Sequence, residues 1–412
     1  MHQNDVSLPE GTGDRTAYRR QTLTWLMSET HSEPSIDRIF VELCERLQMA
    51  GLPVARATLH FRTHHPQWLG ARLIWRRGQR SAALQTVAYH VEETPEFLNS
   101  PFSAIIGGQH EVRQRLDPGA AGSRHYLLYD ELRAEGLTEY IAWPLDHTLG
   151  KRHLVTFASD APDGFAQDQV AFLADLLPAL ALVSEIRLKN QLARTLLETY
   201  VGPHAGQQIL DGATTRGKGV TVDAAILMTD LRNFTELSSL CSRDEVIDVL
   251  NAYFDAISGP IQDNGGEILK FMGDGLLAIF PLSNPTACRD LLRAVDAAQL
   301  ALAKLNAQRR LAGRDVLGYG IGIHVGDVMY GNIGSRNRLD FTVIGPAVNI
   351  ASRLESLTKE VKRPVLFSQA FVDRAGDNGG LECLGPFSLK GLGAPVTVFA
   401  HAREVATERD VG

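Results

Sequence analysis

The sequence predicts an α/β (α+β) protein of two domains joined by a helix. Three observations predict it. At 412 residues the chain is too long for one ordinary core. Short apolar runs with strand-like alternation are interleaved with stretches of helical periodicity in both halves. Between the halves, Val183, Ile186, Asn190, Ala193, Leu197 and Tyr200 step 3, 4, 3, 4, 3, a heptad seam that Gly202-Pro203 ends.

Residues 1–16 are polar and predicted disordered. In the first domain, 17–165, Ile36, Ile39, Phe40, Leu43 and Leu47 recur at helical spacing. Ala57 to Arg62 and Ala71 to Arg76 alternate as paired strands, with His64-His65-Pro66 near the turn. Glu139 to Pro144 and Arg152 to Ser159 read as further strands, and Gly164 to Gln169 opens a long helix. Residues 166–218 are that helix and a linker, and 403–412 a tail. An asparagine at an a position of the seam favours two strands in register, so a short parallel coiled coil is expected here.

Composition excludes several classes. With 41 basic and 48 acidic residues, net −7, nucleic-acid binding is not the main role. Cys44, Cys241, Cys288 and Cys383 lack metal-ligand or disulfide spacing, the pattern of reduced cytosolic thiols. The longest apolar stretch, Val170 to Ile186, is interrupted by Asp175 and Pro178, so no membrane span is expected, and no export signal opens the chain. A cytoplasmic protein is the expectation.

The second domain, 219–402, carries the chemistry. Val222 to Thr229 is its first strand and Asn233 to Asn264 is mainly helical. Glu267 to Phe271 and Leu276 to Phe280 make a hairpin through Gly273-Asp274-Gly275. Pro285 to Leu311 is a helix, and Tyr319 to His324 and Asp327 to Ile333 are two more strands, an α/β sandwich with a ferredoxin-like core. Asp230 and Asp274 each end an apolar run where the backbone turns. Singly they read as a helix cap and a turn residue. Together, with Lys270 four residues before the second, they suit a Mg-bound nucleoside triphosphate, because Mg²⁺ is held by one or two carboxylates plus phosphates. Downstream, the run Asp340 to Ile344 meets Gly345-Pro346 and a helix begins. Asn349 and Arg353, at i and i+4, share one face of it. An arginine and an asparagine together can hold a ribose and a developing phosphorane charge.

These three blocks resemble the catalytic domain of the class III nucleotidyl cyclases, the adenylate and guanylate cyclase family, over about 219–400. The resemblance implies that Asp230 and Asp274, with the Leu231 carbonyl, bind two divalent metal ions (Mg or Mn). It implies that Lys270 reads adenine and that Asn349 and Arg353 act on the transition state. Lys390, in Ser388-Leu389-Lys390-Gly391, would contact the triphosphate. The family's hairpin arginine matches Arg336 or Arg338, and spacing does not choose. In the family, Asp230, Asp274 and Lys270 of one subunit face Asn349 and Arg353 of the other, so a parallel homodimer is implied. The implied reaction converts ATP to 3′,5′-cyclic AMP and pyrophosphate. No histidine stands as a general base, and His324 reads as structural.

One departure bears on specificity. Many members carry an aspartate seven residues before the asparagine, and here that position is Thr342. A hydroxyl can still accept from an exocyclic amine. Guanylate cyclases place an acid where Lys270 stands, so ATP is favoured over GTP. The threonine version resembles a bacterial subgroup with bicarbonate-responsive members. The first domain, by its final strand, the Phe165-Ala166-Gln167-Asp168-Gln169 step and its closing helix, resembles a GAF domain, with a PAS-like regulatory domain as the alternative. It would sense an unidentified signal. His64, His65, His90, Cys44 and Trp75 read as core or surface residues rather than a haem or bilin site. The rivals are a diguanylate cyclase, suggested by Gly265-Gly266-Glu267 but with those glycines outside the turn, and a catalytically silent dimer module, whose mark would be loss of an aspartate or of the Asn/Arg pair.

Overall fold

The computed structural model describes residues 12–62, 68–116, 126–217, 219–376 and 380–401. His64 and His65 lie outside the described residues. The chain forms two compact units, 1–196 and 197–412.

Unit 1 contains α1 (Thr12–Ser28), α2 (Ile36–Met49), β1 (Val54–Arg62), β2 (Gly70–Arg76), β3 (Ala83–Val87), α3 (Pro95–Leu98), α4 (Pro101–Ile106), β4 (Val112–Arg115), α5 (Leu127–Ala134), β5 (Glu139–Asp146), β6 (Arg152–Ser159) and most of α6 (Gln167–Val201). Its six strands are ordered β3-β2-β1-β6-β5-β4. Leu59, Phe61, Trp75, Trp143 and Phe157 on one sheet face meet Phe40, Leu43 and Cys44 of α2 and Phe172, Leu176 and Leu180 of α6 in one core. Cys44 and Trp75 are core residues, fully buried, and His90 is exposed.

Three expectations need correction. Residues 12–16 belong to a helix rather than to a disordered tail, and Arg15 and Arg19 anchor it through ion pairs to Asp168 and Asp175 of α6. Val183 is only 8% exposed and belongs to the unit 1 core, so it is not free for a seam. From Ile186 onward the seam is open, with Ile186 51% and Tyr200 77% exposed. Finally, α6 as a 35-residue helix is long and apolar enough to cross a membrane, which the interrupted sequence had argued against. Of that apolar window 61% is buried inside the protein, the behaviour of a core helix.

Unit 2 continues with α7 (Pro203–Leu210), β7 (Gly219–Leu231), α8 (Phe234–Leu240), α9 (Arg243–Asp263), β8 (Glu267–Met272), β9 (Gly275–Pro281), α10 (Ala287–Leu311), β10 (Tyr319–Gly334), β11 (Leu339–Ile344), α11 (Pro346–Val361), β12 (Val365–Ser368), α12 (Gln369–Ala375), β13 (Leu381–Phe387) and β14 (Val396–His401). The sheet runs β13-β14-β12-β10-β7-β9-β8, with β11 paired to β10. The two strands expected over 319–333 are one, because β10 stays in register with β7 without a break from Tyr319↔Leu231 to Gly331↔Gly219. Alternation along β7 divides the layers. Ala225, Leu227 and Leu231 pack under α9, α10 and α12. Ala224 and Ile226 face Ala347 and Ala351 of α11 and Ala205 of α7. A Ser242–Glu245 capping box starts α9.

Candidate active site

Asp230 falls on the same side of β7 as Ala224 and Ile226, at the end of the strand and on the α11 side of the sheet. It does not cap a helix: the N-cap of α8 is Asn233, without a side-chain bond. Opposite Asp230 in the ladder stands Gly275. A Cβ there would lie 2.3 Å from the Thr229 carbonyl, so only glycine lets β9 approach. Gly273 takes φ 66°, the left-handed region, to turn the hairpin. The two glycines thereby fix Asp274 between them, and the Leu231 amide donates to the Asp274 carbonyl at 3.3 Å. The Asp230 and Asp274 carboxyls come within hydrogen-bond reach of each other, and burial, then the charges of Asp274 and Glu355, push the Asp230 carboxyl up to about 6.

Two converging carboxyls are a hard-oxygen donor pair suited to Mg²⁺ or Mn²⁺. Asp230, Asp274 and the Leu231 carbonyl are the groups that would hold such ions. No cluster of three or more His, Cys, Asp or Glu exists among the described residues, so further coordination would come from substrate phosphate and water.

Lys270 stands on β8, on the strand leading into the Asp274 turn. A bulge between Ile268 and Lys270 sets Lys270 opposite Leu277. Its ammonium lies 3.5 Å from Asp340 at the start of β11. Asp340 and Thr342 share one side of β11 by alternation. Lys270 and Thr342 are thus brought together in one chain. Thr342 is 4% exposed and its hydroxyl has no hydrogen-bond partner. A buried hydroxyl left unmatched costs roughly 1–3 kcal/mol. Sequence reasoning missed Asp340, although its two-residue spacing from Thr342 was the available signal.

Asn349 and Arg353 are exposed, and Arg353 has no ion pair among the described residues. Each stands two residues, about 200° around the helix, from Ala351, which is buried against the sheet. They therefore project away from the face carrying Asp230. Glu355, on the same helix, is buried. It is 6% exposed and lies 3.8 Å from Arg232, which also bonds Thr358. This buried Arg232–Glu355 pair, another omission of the sequence reading, ties the metal-side strand end to α11. The exposed Arg336 and Arg338 sit in the β10–β11 hairpin, and Lys390 is exposed beside the buried Leu389. His324 is structural: it bonds Ser368 at 2.8 Å, and burial lowers it to about 4.

Residues 219–402 match the adenylate and guanylate cyclase catalytic domain. An adenylate cyclase of Anabaena cylindrica is 33% identical over 245 residues, 56% of this chain and 46% of that protein. A crystal structure of a guanylyl cyclase is 34% identical, covering 44% of this chain and 92% of that one, with a TM-score of 0.40. The adenylyl cyclase CyaB from P. aeruginosa is 28% identical, covering 47% and 100%, with a TM-score of 0.42. The match identifies residues 219–402 as a class III adenylate and guanylate cyclase catalytic domain. The chain spans less than half the length of the Anabaena protein.

Proposed function

We propose that the protein is an adenylate cyclase that converts ATP to 3′,5′-cyclic AMP and pyrophosphate as a homodimer. The observation that carries this reading is the converging Asp230–Asp274 pair, set on the opposite side of the chain's own α11 from the exposed Asn349 and Arg353. One chain holds both halves of a site and cannot close them, so a second chain would supply the missing half. Lys270 and Thr342, joined on one side, would read the base. The ammonium donates to a ring nitrogen, and the unmatched Thr342 hydroxyl accepts from the amino group of adenine. Guanine carries a proton on the ring nitrogen that the ammonium would face, so Lys270 rather than the two-way Thr342 hydroxyl would discriminate against it.

In the proposed reaction the 3′-hydroxyl attacks the α-phosphorus in line and the pyrophosphate oxygen leaves. Divalent ions on Asp230 and Asp274 would lower the pKa of the 3′-hydroxyl and offset the phosphate charge. Asn349 orients the ribose, Arg353 meets the charge that develops at the α-phosphoryl group, and Lys390 and a hairpin arginine, Arg336 or Arg338, hold the triphosphate. No side chain is placed to take the 3′-proton, so it passes to water or a phosphate oxygen. Unit 1 is read as the sensor, acting through the exposed stretch of α6 from Ile186 to Tyr200, and the site of ATP supply and the unpaired thiols favour the cytoplasm. Bicarbonate activation, from Thr342, is the least supported part and is checked by adding bicarbonate against chloride at fixed pH.

The deciding assay supplies ATP and GTP in parallel with Mg²⁺ or Mn²⁺. Cyclic AMP in clear excess supports the reading, and equal cyclic GMP removes the assignment of Lys270 and Thr342.

A further inference from the structure

The sheet of unit 1 uses its two faces differently. Along β1, Ala57, Leu59 and Phe61 enter the core shared with α2 and α6, so Arg56, Thr58 and His60 point to the opposite face. Part of that face is closed by apolar packing, where Ile105 of α4 and Tyr129 and Leu132 of α5 cover Tyr140, Ala142 and Leu154. Over β1 and β2 it is hollow. A cavity of about 520 Å³ has Arg56, Thr58, His60, Arg72 and Thr156 along the sheet, and Phe97 and Phe102 in its wall.

The polar floor is buried yet incompletely satisfied. The Thr58 hydroxyl meets Thr156 at 2.6 Å and His60 Nε2 at 2.8 Å. Arg56 is 8% exposed, and its Nε has no hydrogen-bond partner. The nearest carboxylate, Glu135, is 3.7 Å away and is already engaged by Arg76 at 2.9 and 3.3 Å. Arg72 donates to the neutral Gln85 at 2.7 Å. Among the acids lining the cavity, Glu92 is committed to Arg62 at 2.8 Å, and Glu96 and Glu131 are exposed. Of the two floor guanidiniums, Arg56 therefore shares Glu135 with Arg76, and Arg72 has no ion pair among the described residues. An arginine keeps its charge even when buried, and a buried, under-paired cation stabilises nothing that a methionine would not supply better. Its presence is explained by an anion that arrives.

The wall sets the rest of the ligand. Phe97 and Phe102 have ring centroids 5.4 Å apart, and the His60 imidazole lies 5.6 Å from Phe102. Burial, then the neighbouring Arg72 and Arg56, lower His60 to about 3, so the ring is neutral and offers a flat face. We propose that this cavity binds a small organic anion, a flat aromatic body lying against Phe102 and His60 with one carboxylate or phosphate group on Arg56 and Arg72. The volume suits a ligand of two or three fused rings. This site does not depend on the cyclase reading, because its test reads binding alone.

The test uses the full chain and four probes: 1-naphthoate, 1-naphthyl phosphate, the neutral 1-naphthamide, and inorganic phosphate. Calorimetry and thermal shift should give anion binding about tenfold or more tighter than the amide, the value of a charge-assisted bond to a buried group. The two organic anions identify the preferred head group, and inorganic phosphate alone should bind at least tenfold more weakly because the wall is then unused. Arg56→Met should lose the anion preference while melting at the same or a higher temperature than wild type. Should that variant fail to fold, Arg72→Gln gives the same reading. Equal binding of acid and amide, an Arg56→Met chain that keeps the preference, or no organic anion bound at low millimolar concentration each overturns the proposal.

Discussion

The protein holds two charge imbalances of opposite sign, and their difference is instructive. In unit 2, Asp230 and Asp274 converge, and burial with the charges of Asp274 and Glu355 holds the Asp230 carboxyl up near 6. In unit 1, Arg56 is buried with an unbonded Nε and a carboxylate already taken by Arg76. Folding alone favours neither, since each costs solvation that the native contacts do not return. The sign of the imbalance names the visitor: cations with phosphate in one case, an organic anion in the other. The two also differ in surroundings. The carboxylates sit at strand ends beside a turn, where phosphate and water can complete a shell, whereas the guanidinium lies on a strand interior under an aromatic wall.

The largest effect expected is at the carboxylates. Asp230→Ala or Asp274→Ala should reduce cyclic AMP formation to background while circular dichroism and melting remain those of a folded protein. Turnover near the wild-type rate in either variant would remove the metal assignment and the comparison with it.

Next in size is Arg353→Ala, expected to lower kcat by roughly 10²–10³ with a smaller change in KM, as for loss of one group aimed at developing charge. Because Arg353 projects from the side of α11 away from Asp230, Asp274→Ala and Arg353→Ala chains should complement each other. Random exchange makes half of the dimers mixed, each with one intact site of two, so about a quarter of wild-type activity should return. Verified exchange with no recovery would exclude a shared site.

Base recognition should respond less. Lys270→Glu should lower kcat/KM for ATP by about tenfold or more, and Thr342→Val by less, since a charged donor outweighs a neutral hydroxyl. A larger loss at Thr342 would reverse the roles given to the two residues.

Much of the catalytic half was legible in the sequence, for physical reasons. A carboxylate ending an apolar run, and glycines flanking Asp274, leave a local signature, because turn geometry depends on adjacent residues. Asn349 and Arg353 are readable because helical spacing is fixed at i and i+4. What failed was long-range. The grouping of Lys270 with Asp340 joins residues 70 apart in the chain through a bulge after Ile268. The Arg232–Glu355 pair joins a strand end to a helix that neither spacing specifies. In β1, Arg56-Ala57-Thr58-Leu59-His60 alternates as a strand with one wetted face would, and nothing local says that the polar face is buried. The continuity of β10 through Val325-Gly326 was hidden because glycine reads as a break, whereas here Gly326 keeps its place opposite Ala224 in the ladder.

The smallest effect concerns stability without metal, and it separates the charge imbalance from the chemistry. An aspartate ordinarily titrates at 3.8, and in the folded protein Asp230 titrates at about 6. The folded state therefore holds its proton more tightly than the unfolded chain. The sign follows by linkage: the stability contributed by the protonated carboxyl is fully present below 3.8 and is lost as pH rises through about 6. Metal-free wild type should accordingly melt lower at pH 7.5 than Asp230→Asn, and equally at pH 4. The carboxyl is only about half-buried, so screening limits the difference to the order of 2–4 °C for a domain of this size. Mg²⁺ or Mn²⁺ should close the gap at pH 7.5 by raising the melting temperature of wild type and leaving Asp230→Asn nearly unmoved. A variant that melts below wild type at pH 7.5 without metal would mean that Asp230 is stabilised as a carboxylate by contacts of its own, and the pair would then not be an unscreened site awaiting a cation.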